Sequence, residues 1–165
     1  MSALEHHQQP RRGLKIGIIT ASDTRTSADD ESGNIIRTTV TAAGHRVLHY
    51  QIIRDEPDRI AAAVIARIGD LDAMIINGGT GISPRDSTFE AVKRLLDKEL
   101  EGFGELLRML SYKEIGSAAF LSRATAGVCR GKILVSIPGS PAACRLAMEK
   151  LLIPELSHMA GLLQL

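Results

Sequence analysis

The chain has few aromatic residues, almost no net charge and no long apolar run. Only 3% of its 165 residues are aromatic and none is tryptophan, which argues against a surface that stacks on nucleic acid bases. The formal net charge of +1 gives no reason to expect a nucleic acid partner. No apolar run approaches the roughly 20 residues that cross a bilayer, so we also expect no membrane partner.

The chain also has only two cysteines, Cys129 and Cys144. They form neither a C-x-x-C motif nor a disulfide framework, and we interpret them as small buried side chains in a reducing cytoplasm. A catalytic thiol is the weaker interpretation. Residues 1–13 are polar and lack the apolar core of a signal peptide, so we predict a disordered tail there and a single domain over 14–165.

Apolar runs alternate with helical patterns along the rest of the chain. This alternation predicts an α/β fold with three αβα layers, a mainly parallel central sheet and helices on both faces. The last two strands are joined at Arg130-Gly131, which predicts one antiparallel hairpin strand. Strands are predicted at 14–20, 45–54, 73–76, 122–128 and 132–137, and helices at 58–68, around 106–110 and at 142–152. Pro154 should interrupt or restart the last of these helices.

The most informative stretch is residues 77–86, Asn-Gly-Gly-Thr-Gly-Ile-Ser-Pro-Arg-Asp, which follows a buried strand. Ser87 and Glu90 then have the spacing of a capping box that opens a helix. Glycines expose backbone amides, and amides beside a helix N-terminus favour a phosphate. Asp86 would lie next to that anion, which favours a cation such as Mg²⁺ between them. The alternative is a tight turn in which Asp86 only complements the helix dipole.

Four strand-to-helix loops should meet at the carboxyl edge of the sheet, where such folds bind ligands. They contain glycine, hydroxyl and carboxylate groups but no histidine or cysteine, an inventory that suits hard cations and phosphate oxygens. Asp55 could instead be only the N-cap of its own helix. His45 and His49 would share a strand face and could form a metal-binding pair. The loops are Ser22-Asp23-Thr24, Asp55-Glu56, 78–86 and Pro138-Gly139-Ser140.

These motifs resemble the molybdenum cofactor biosynthesis proteins of the MoaB/MogA type. The resemblance rests on residues 78–81, 83–86, 55–56 and 138–141, and it extends from about Lys15 to the last helix. Residues 106–116 look closer to MoaB than to MogA. The resemblance implies a MogA-like fold and the Mg²⁺- and ATP-dependent adenylylation of molybdopterin, in which the molybdopterin phosphate attacks the α-phosphorus of ATP and pyrophosphate leaves.

The resemblance also assigns roles to residues. It implies that Asp55 and Asp86 hold Mg²⁺ and are the catalytic pair; as loop carboxylates, both are expected to contribute little to stability. Members of the MoaB branch that lack one or both acidic positions are expected not to catalyse the step, and this chain keeps both. The positions implied to bind substrate are Ser22, Asp23, Gly78, Gly79, Thr80, Gly81, Ser83, Pro138, Gly139 and Ser140.

Two other functions stay open from the sequence. One is a protein that binds molybdopterin or a nucleotide without catalysis, and the other is an oligomeric assembly protein with a vestigial site. The resemblance further implies a homo-oligomer, either a trimer or a hexamer.

Overall fold

The computed structural model describes residues 13–164 and contains one six-stranded sheet. The strands are β1 (Lys15–Ala21), β2 (Arg46–Ile53), β3 (Ala73–Asn77), β4 (Lys98–Glu99), β5 (Thr125–Cys129) and β6 (Lys132–Ile137). They lie in the order β2-β1-β3-β6-β5-β4. β2, β1, β3 and β6 pair in parallel, whereas β5 is antiparallel to both of its neighbours. The predicted parallel sheet with one antiparallel hairpin strand is confirmed, and β4 is an addition.

Helices cover both faces of the sheet and make the three predicted layers. They are α1 (Glu31–Ala42), α2 (Pro57–Arg67), α3 (Thr88–Leu95), α4 (Glu101–Ile115), α5 (Pro141–Ala147) and α6 (Ile153–Leu162). Successive β3 residues point to opposite faces, as a strand requires. Ile75 therefore packs in a core with α1, α4, α5 and α6, and Ile76 packs in a second core with α2 and α3.

The alternation predicted for the second strand is wrong at Leu48. Ile16 of β1 pairs with Val47 but Gly17 pairs with His49, so one residue of β2 is extra. This bulge puts Val47 and Tyr50 against the same core, and it ends the single face predicted for the histidines. Among residues 13–164 no three His, Cys, Asp or Glu side chains are grouped to hold a metal.

The last helix continues beyond its predicted end. A π-helical turn, Met148–Leu152, joins α5 to α6, and Pro154 follows in the first turn of α6. Because proline has no N–H and its ring would contact the preceding turn, the wider π turn is a physically reasonable way to accommodate it. The predicted interruption at Pro154 is thus a local change of helix type.

Both cysteines are buried, as predicted. Burial raises the pKa of the Cys144 thiol to about 12, and its Sγ lies 3.2 Å from the carbonyl oxygen of Pro138. Of the predicted tail, residues 1–12 lie outside the described range, and Gly13 donates a hydrogen bond of 2.9 Å to the carbonyl of Gly44. No helix within residues 13–164 has the length and apolar character to cross a membrane.

Candidate functional site

The turns after β1, β3 and β6 meet at the carboxyl edge of the sheet with their backbones in contact. Gly78 has a φ of +102°, and a Cβ atom there would lie 2.2 Å from the carbonyl oxygen of Ala21. A Cβ on Gly139 would lie 3.0 Å from the Cα of Gly78. Glycine is required at position 78, where a Cβ would overlap the Ala21 carbonyl, and position 139 leaves little room for a larger residue. A cavity of about 480 Å³ opens beside them, lined by Ala21, Ser22, Thr24, Arg25, Gly78, Gly139, Ser140 and Pro141.

Asp55 lies in the same group of loops and connects β2 to the start of α3. Its Oδ1 atom accepts hydrogen bonds from the Ser87 amide at 3.2 Å, the Ser87 hydroxyl at 2.7 Å and the Thr88 hydroxyl at 3.1 Å. The residue is only 7% exposed. Since the N-cap of α2 is Glu56, the alternative in which Asp55 caps its own helix is wrong.

The predicted capping box at the start of α3 is also wrong. Ser87 is the N-cap residue, but its side chain makes no capping hydrogen bond and is instead directed towards Asp55, to which its hydroxyl donates. Glu90 forms an ion pair with Arg123 instead of returning to the N-cap amide. Contacts with Asp55 and Arg123, which are distant in sequence, therefore replace the two hydrogen bonds of a capping box.

Asp86 immediately precedes Ser87, so the structure brings both predicted acidic residues into one loop group. The Asp86 Oδ2 atom accepts a hydrogen bond of 3.0 Å from the Ser83 amide. Within residues 13–164, no group donates a hydrogen bond to Asp55 Oδ2 or to Asp86 Oδ1. Each residue thus keeps one carboxylate oxygen without a donor, and such oxygens, with phosphate and water, are the ligands that a hard cation takes.

The glycine-rich loop presents a row of backbone donors. In the described part of the chain no atom accepts a hydrogen bond from the amides of Gly79, Thr80, Gly81 or Ile82. Gly79 also has a positive φ, +62°, and a Cβ there would lie 2.1 Å from the Asp55 carboxylate. Successive amides beside a helix start form the kind of concavity that binds anions.

Comparison with known proteins decides the family. The family model described as "Probable molybdopterin binding domain" matches residues 17–158, which is most of the chain. The chain belongs to this family.

Its MoaB-branch resemblance is confirmed by the relatives. Molybdenum cofactor biosynthesis protein B of Bacillus cereus is 49% identical over 162 residues, covering 96% of each chain. The protein of the same name from Bacillus subtilis is also 49% identical, covering 96% of this chain and 95% of the relative.

Solved structures agree with the sequence comparison. A crystal structure of Molybdenum cofactor biosynthesis protein B matches with a TM-score of 0.90 at 49% identity, covering 95% of this chain and 99% of the other. The tungsten cofactor synthesizing protein MoaB from Pyrococcus furiosus gives 0.85 at 34% identity, with 94% and 99% coverage. A MogA structure gives 0.82 at 27% identity, with 90% and 99% coverage. The predicted MogA-like fold is confirmed.

In this MoaB-branch site, two residues predicted to bind substrate stabilise the loops: Asp23 joins its loop to others, and Ser22 stabilises its own turn. Asp23 accepts from Arg85 at 2.6 Å through Oδ2 and from the Asp55 amide at 3.3 Å through Oδ1. The hydrogen bond from Arg85 holds the pKa of Asp23 below its usual value. The Ser22 hydroxyl oxygen accepts from the amides of Thr24 and Arg25, at 3.3 and 3.2 Å.

The remaining predicted residues lie on the two glycine turns. The Ser140 hydroxyl oxygen accepts from the Ala143 amide at 3.2 Å and so caps α5, as the sequence predicts. Pro138 and Gly139 complete that turn. Thr80 is 4% exposed, whereas Ser83 is exposed and its hydroxyl oxygen accepts from the Arg85 amide at 3.3 Å.

The sequence interpretation assigned no contact to the side chains that support these turns, although Arg123 lies in a segment, Ser122-Arg123-Ala124, that resembles the family. The carbonyl of Gly139 accepts from the Ser32 hydroxyl at 2.7 Å and from Arg25 Nη2 at 2.9 Å. Arg123 similarly contacts the carbonyls of the glycine-rich loop. An arginine or serine far from a motif in sequence carries no local signal of such a contact, so only the fold reveals it.

A buried acidic network supports α1 beneath the site. Asp30 accepts from the hydroxyls of Thr20 and Tyr50, both at 2.6 Å, and caps α1 through the Gly33 amide at 3.0 Å. Asn77 extends the network by donating to the Thr20 hydroxyl at 2.9 Å. Burial, together with the hydrogen bond to Asp30, raises the pKa of Tyr50 to about 12. Asp30 therefore caps α1 and also holds it to β1 and β2.

Proposed function

We propose that the protein is a cytoplasmic enzyme of molybdenum cofactor biosynthesis that transfers the adenylyl group of ATP to molybdopterin. A phosphate oxygen of molybdopterin attacks the α-phosphorus of ATP, the new P–O bond forms, and the bond to the bridging oxygen breaks to release pyrophosphate. The observation that carries this proposal is the row of unpartnered amides, from Gly79 to Ile82, beside two acidic residues in one loop group. The names of the relatives support the pathway.

The loop amides and the start of α3 would bind a phosphate of ATP. Asp55 and Asp86 would hold Mg²⁺ through their unengaged oxygens, and the ion would supply charge neutralisation on the phosphates. Ser87 and Thr88 fix the orientation of Asp55 before substrate arrives. Preorganised charge of this kind is the largest contribution in phosphoryl-type chemistry.

The cavity beside Gly78 and Gly139 would bind molybdopterin. Its wall carries the hydroxyl groups of Ser22 and Ser140 and the cationic side chain of Arg25, and such groups suit a phosphorylated, polar substrate. An ionised phosphate nucleophile has no proton to lose. A site whose turns contain no histidine or cysteine is therefore sufficient for the reaction.

A turnover assay tests the proposal. Pyrophosphate release from ATP should require both Mg²⁺ and molybdopterin, and Asp86→Asn should reduce the rate on the order of 10²-fold or more. Asp70→Asn is the matched control, because Asp70 is an exposed carboxylate before β3, at the opposite edge of the sheet. Binding of ATP and molybdopterin without turnover would favour a non-catalytic binding protein, and absence of binding would favour an assembly protein with a vestigial site.

We also propose that an apolar face joins copies of the chain into a trimer or hexamer. In α4, Leu107 is buried in the core, but Leu106, Met109, Tyr112 and Ile115 are 47%, 52%, 64% and 55% exposed. Side chains three residues apart lie about 60° apart around an α-helix, so these four form a continuous apolar band that winds along α4. Solution mass measured by light scattering should show the oligomer, and Met109→Glu should dissociate it.

A further inference from the structure

Arg123 contacts the glycine-rich loop through the carbonyl groups of two of its residues. Its Nε donates to the carbonyl of Thr80 at 2.9 Å, and its Nη2 donates to the carbonyl of Gly81 at 2.6 Å. The guanidinium also forms an ion pair with Glu90 and lies 4.8 Å from the centre of the Phe89 ring. Each nitrogen of the Arg123 guanidinium therefore has a hydrogen-bond or ion-pair partner.

These two hydrogen bonds determine where the next amides point. The described residues contain no cis peptide bond, and in a trans peptide the C=O and the following N–H point in opposite directions. A Thr80 carbonyl turned towards Arg123 directs the Gly81 N–H away from it. The Gly81 carbonyl directs the Ile82 N–H in the same way. Both amides belong to the row that has no acceptor within the described residues.

Glycine by itself would not hold this arrangement. The loop contains three glycines, which reach many backbone conformations at similar energy, so a fixed direction of the peptides needs an external constraint. The rigid fork of arginine can bond both carbonyls at once and stack on Phe89 while Glu90 holds its charge in place. Lysine has one flexible ammonium group and would lose this geometry while keeping the charge.

We propose that Arg123 is a positioning residue that holds the Gly81 and Ile82 amides in the direction needed to bind a phosphate. Its relevance to catalysis rests on the adenylyl transfer proposed above, but the direction of the amides can be tested separately. The competing role is purely structural, in which Arg123 only joins the start of β5 to α3. In that case Arg123→Lys would leave the loop unchanged as long as the fold is stable.

The experiment compares the full chain with Arg123→Lys, Arg123→Ala and the control Arg59→Ala. Arg59 also forms an ion pair with a glutamate, Glu56, but the pair is exposed and lies on α2. NMR order parameters are measured for the loop amides, and calorimetry gives the Kd for Mg-ATP. In the unaltered protein the Gly81 and Ile82 amides should have order parameters near about 0.85, typical of rigid backbone.

Arg123→Lys should lower these order parameters below roughly 0.6 and weaken Mg-ATP binding about tenfold or more, with little change in Tm. Arg59→Ala should change neither quantity. Unchanged order parameters in both Arg123 variants would overturn the proposal, and so would a mobile loop with unaltered Mg-ATP affinity. If the unaltered protein binds no Mg-ATP, the proposed function fails, and the order parameters still decide whether Arg123 positions the loop.

Discussion

Replacing Asp55 should destabilise the protein much more than replacing Asp86, although both belong to the same proposed metal site. The Asp55 carboxylate is buried and accepts three hydrogen bonds from the start of α3. Asp86 is only partly buried and accepts one, from the Ser83 amide. Comparing the two substitutions therefore separates the contribution of these carboxylates to folding stability from their contribution to the reaction.

The difference in stability can be estimated from the hydrogen-bond donors that lose their acceptor. Asp55→Ala removes the acceptor of the Thr88 hydroxyl, whose residue is 0% exposed, and of the Ser87 amide. A buried donor without a partner costs about 1–3 kcal/mol, and the partly buried Ser87 amide should cost less, so the free energy of unfolding should fall by about 2–5 kcal/mol. Asp86→Ala should cost less than about 1 kcal/mol.

Thermal unfolding followed by circular dichroism, at a fixed protein concentration, measures the difference. For a domain of this size each kcal/mol corresponds to roughly 2–4 °C, so Asp55→Ala should lower Tm by about 5–20 °C and Asp86→Ala by less than about 4 °C. Both variants should lose pyrophosphate release. A Tm for Asp55→Ala within about 2 °C of the unaltered protein would refute the role of Asp55 as a structural anchor.

Three further predictions concern other parts of the fold. Gly78→Ala should lower the free energy of unfolding in urea by about 3 kcal/mol or more, because its Cβ would meet the Ala21 carbonyl at 2.2 Å. Gly69→Ala is the control, since a Cβ there would have no atom within 4 Å, and an equal loss of stability in both variants would contradict the turn contact. The pKa of Tyr50 is raised to about 12, so its contribution to stability is present below pH 10 and is lost as the pH rises from 10 to 12. Tyr50→Phe should reduce that alkaline loss of stability by roughly 1 kcal/mol, and the same dependence of stability on pH in both proteins would oppose this prediction. The buried Cys144 thiol should resist iodoacetamide at pH 7.5 in the folded protein and react in urea, as followed by mass spectrometry; rapid labelling of the folded chain would show that the thiol is accessible.

The sequence predicts the parts of the fold that depend on local pattern. The apolar runs of β3 and β6 are buried strands, as their composition predicts. Glycine spacing located the loop with the unpartnered amides. In each case neighbours in sequence supply the interaction, so composition and spacing are sufficient.

The errors occur where a distant partner competes with the local one. Ser87 and Glu90 have the spacing of a capping box, but both side chains bind distant partners. Ser87 donates to Asp55, 32 residues away, and Glu90 pairs with Arg123, 33 residues away. The start of α4 was hidden by Gly104, a weak helix former. Its Cβ would lie 2.6 Å from the carbonyl of Ala124, so glycine is there because the helix packs closely against the segment before β5.

The backbone contact among the three turns limits how the site can diverge between relatives. Gly78 lies against Ala21, and Gly139 lies against Gly78, so the base of the site has no side chain that substitution could enlarge or recharge. Substitutions that change the shape or charge of the site therefore fall on side chains around these turns, such as Ser22, Arg25 and Ser140, which line the cavity. Ile82, which is 75% exposed and follows the last glycine of the loop, is free to vary in this way.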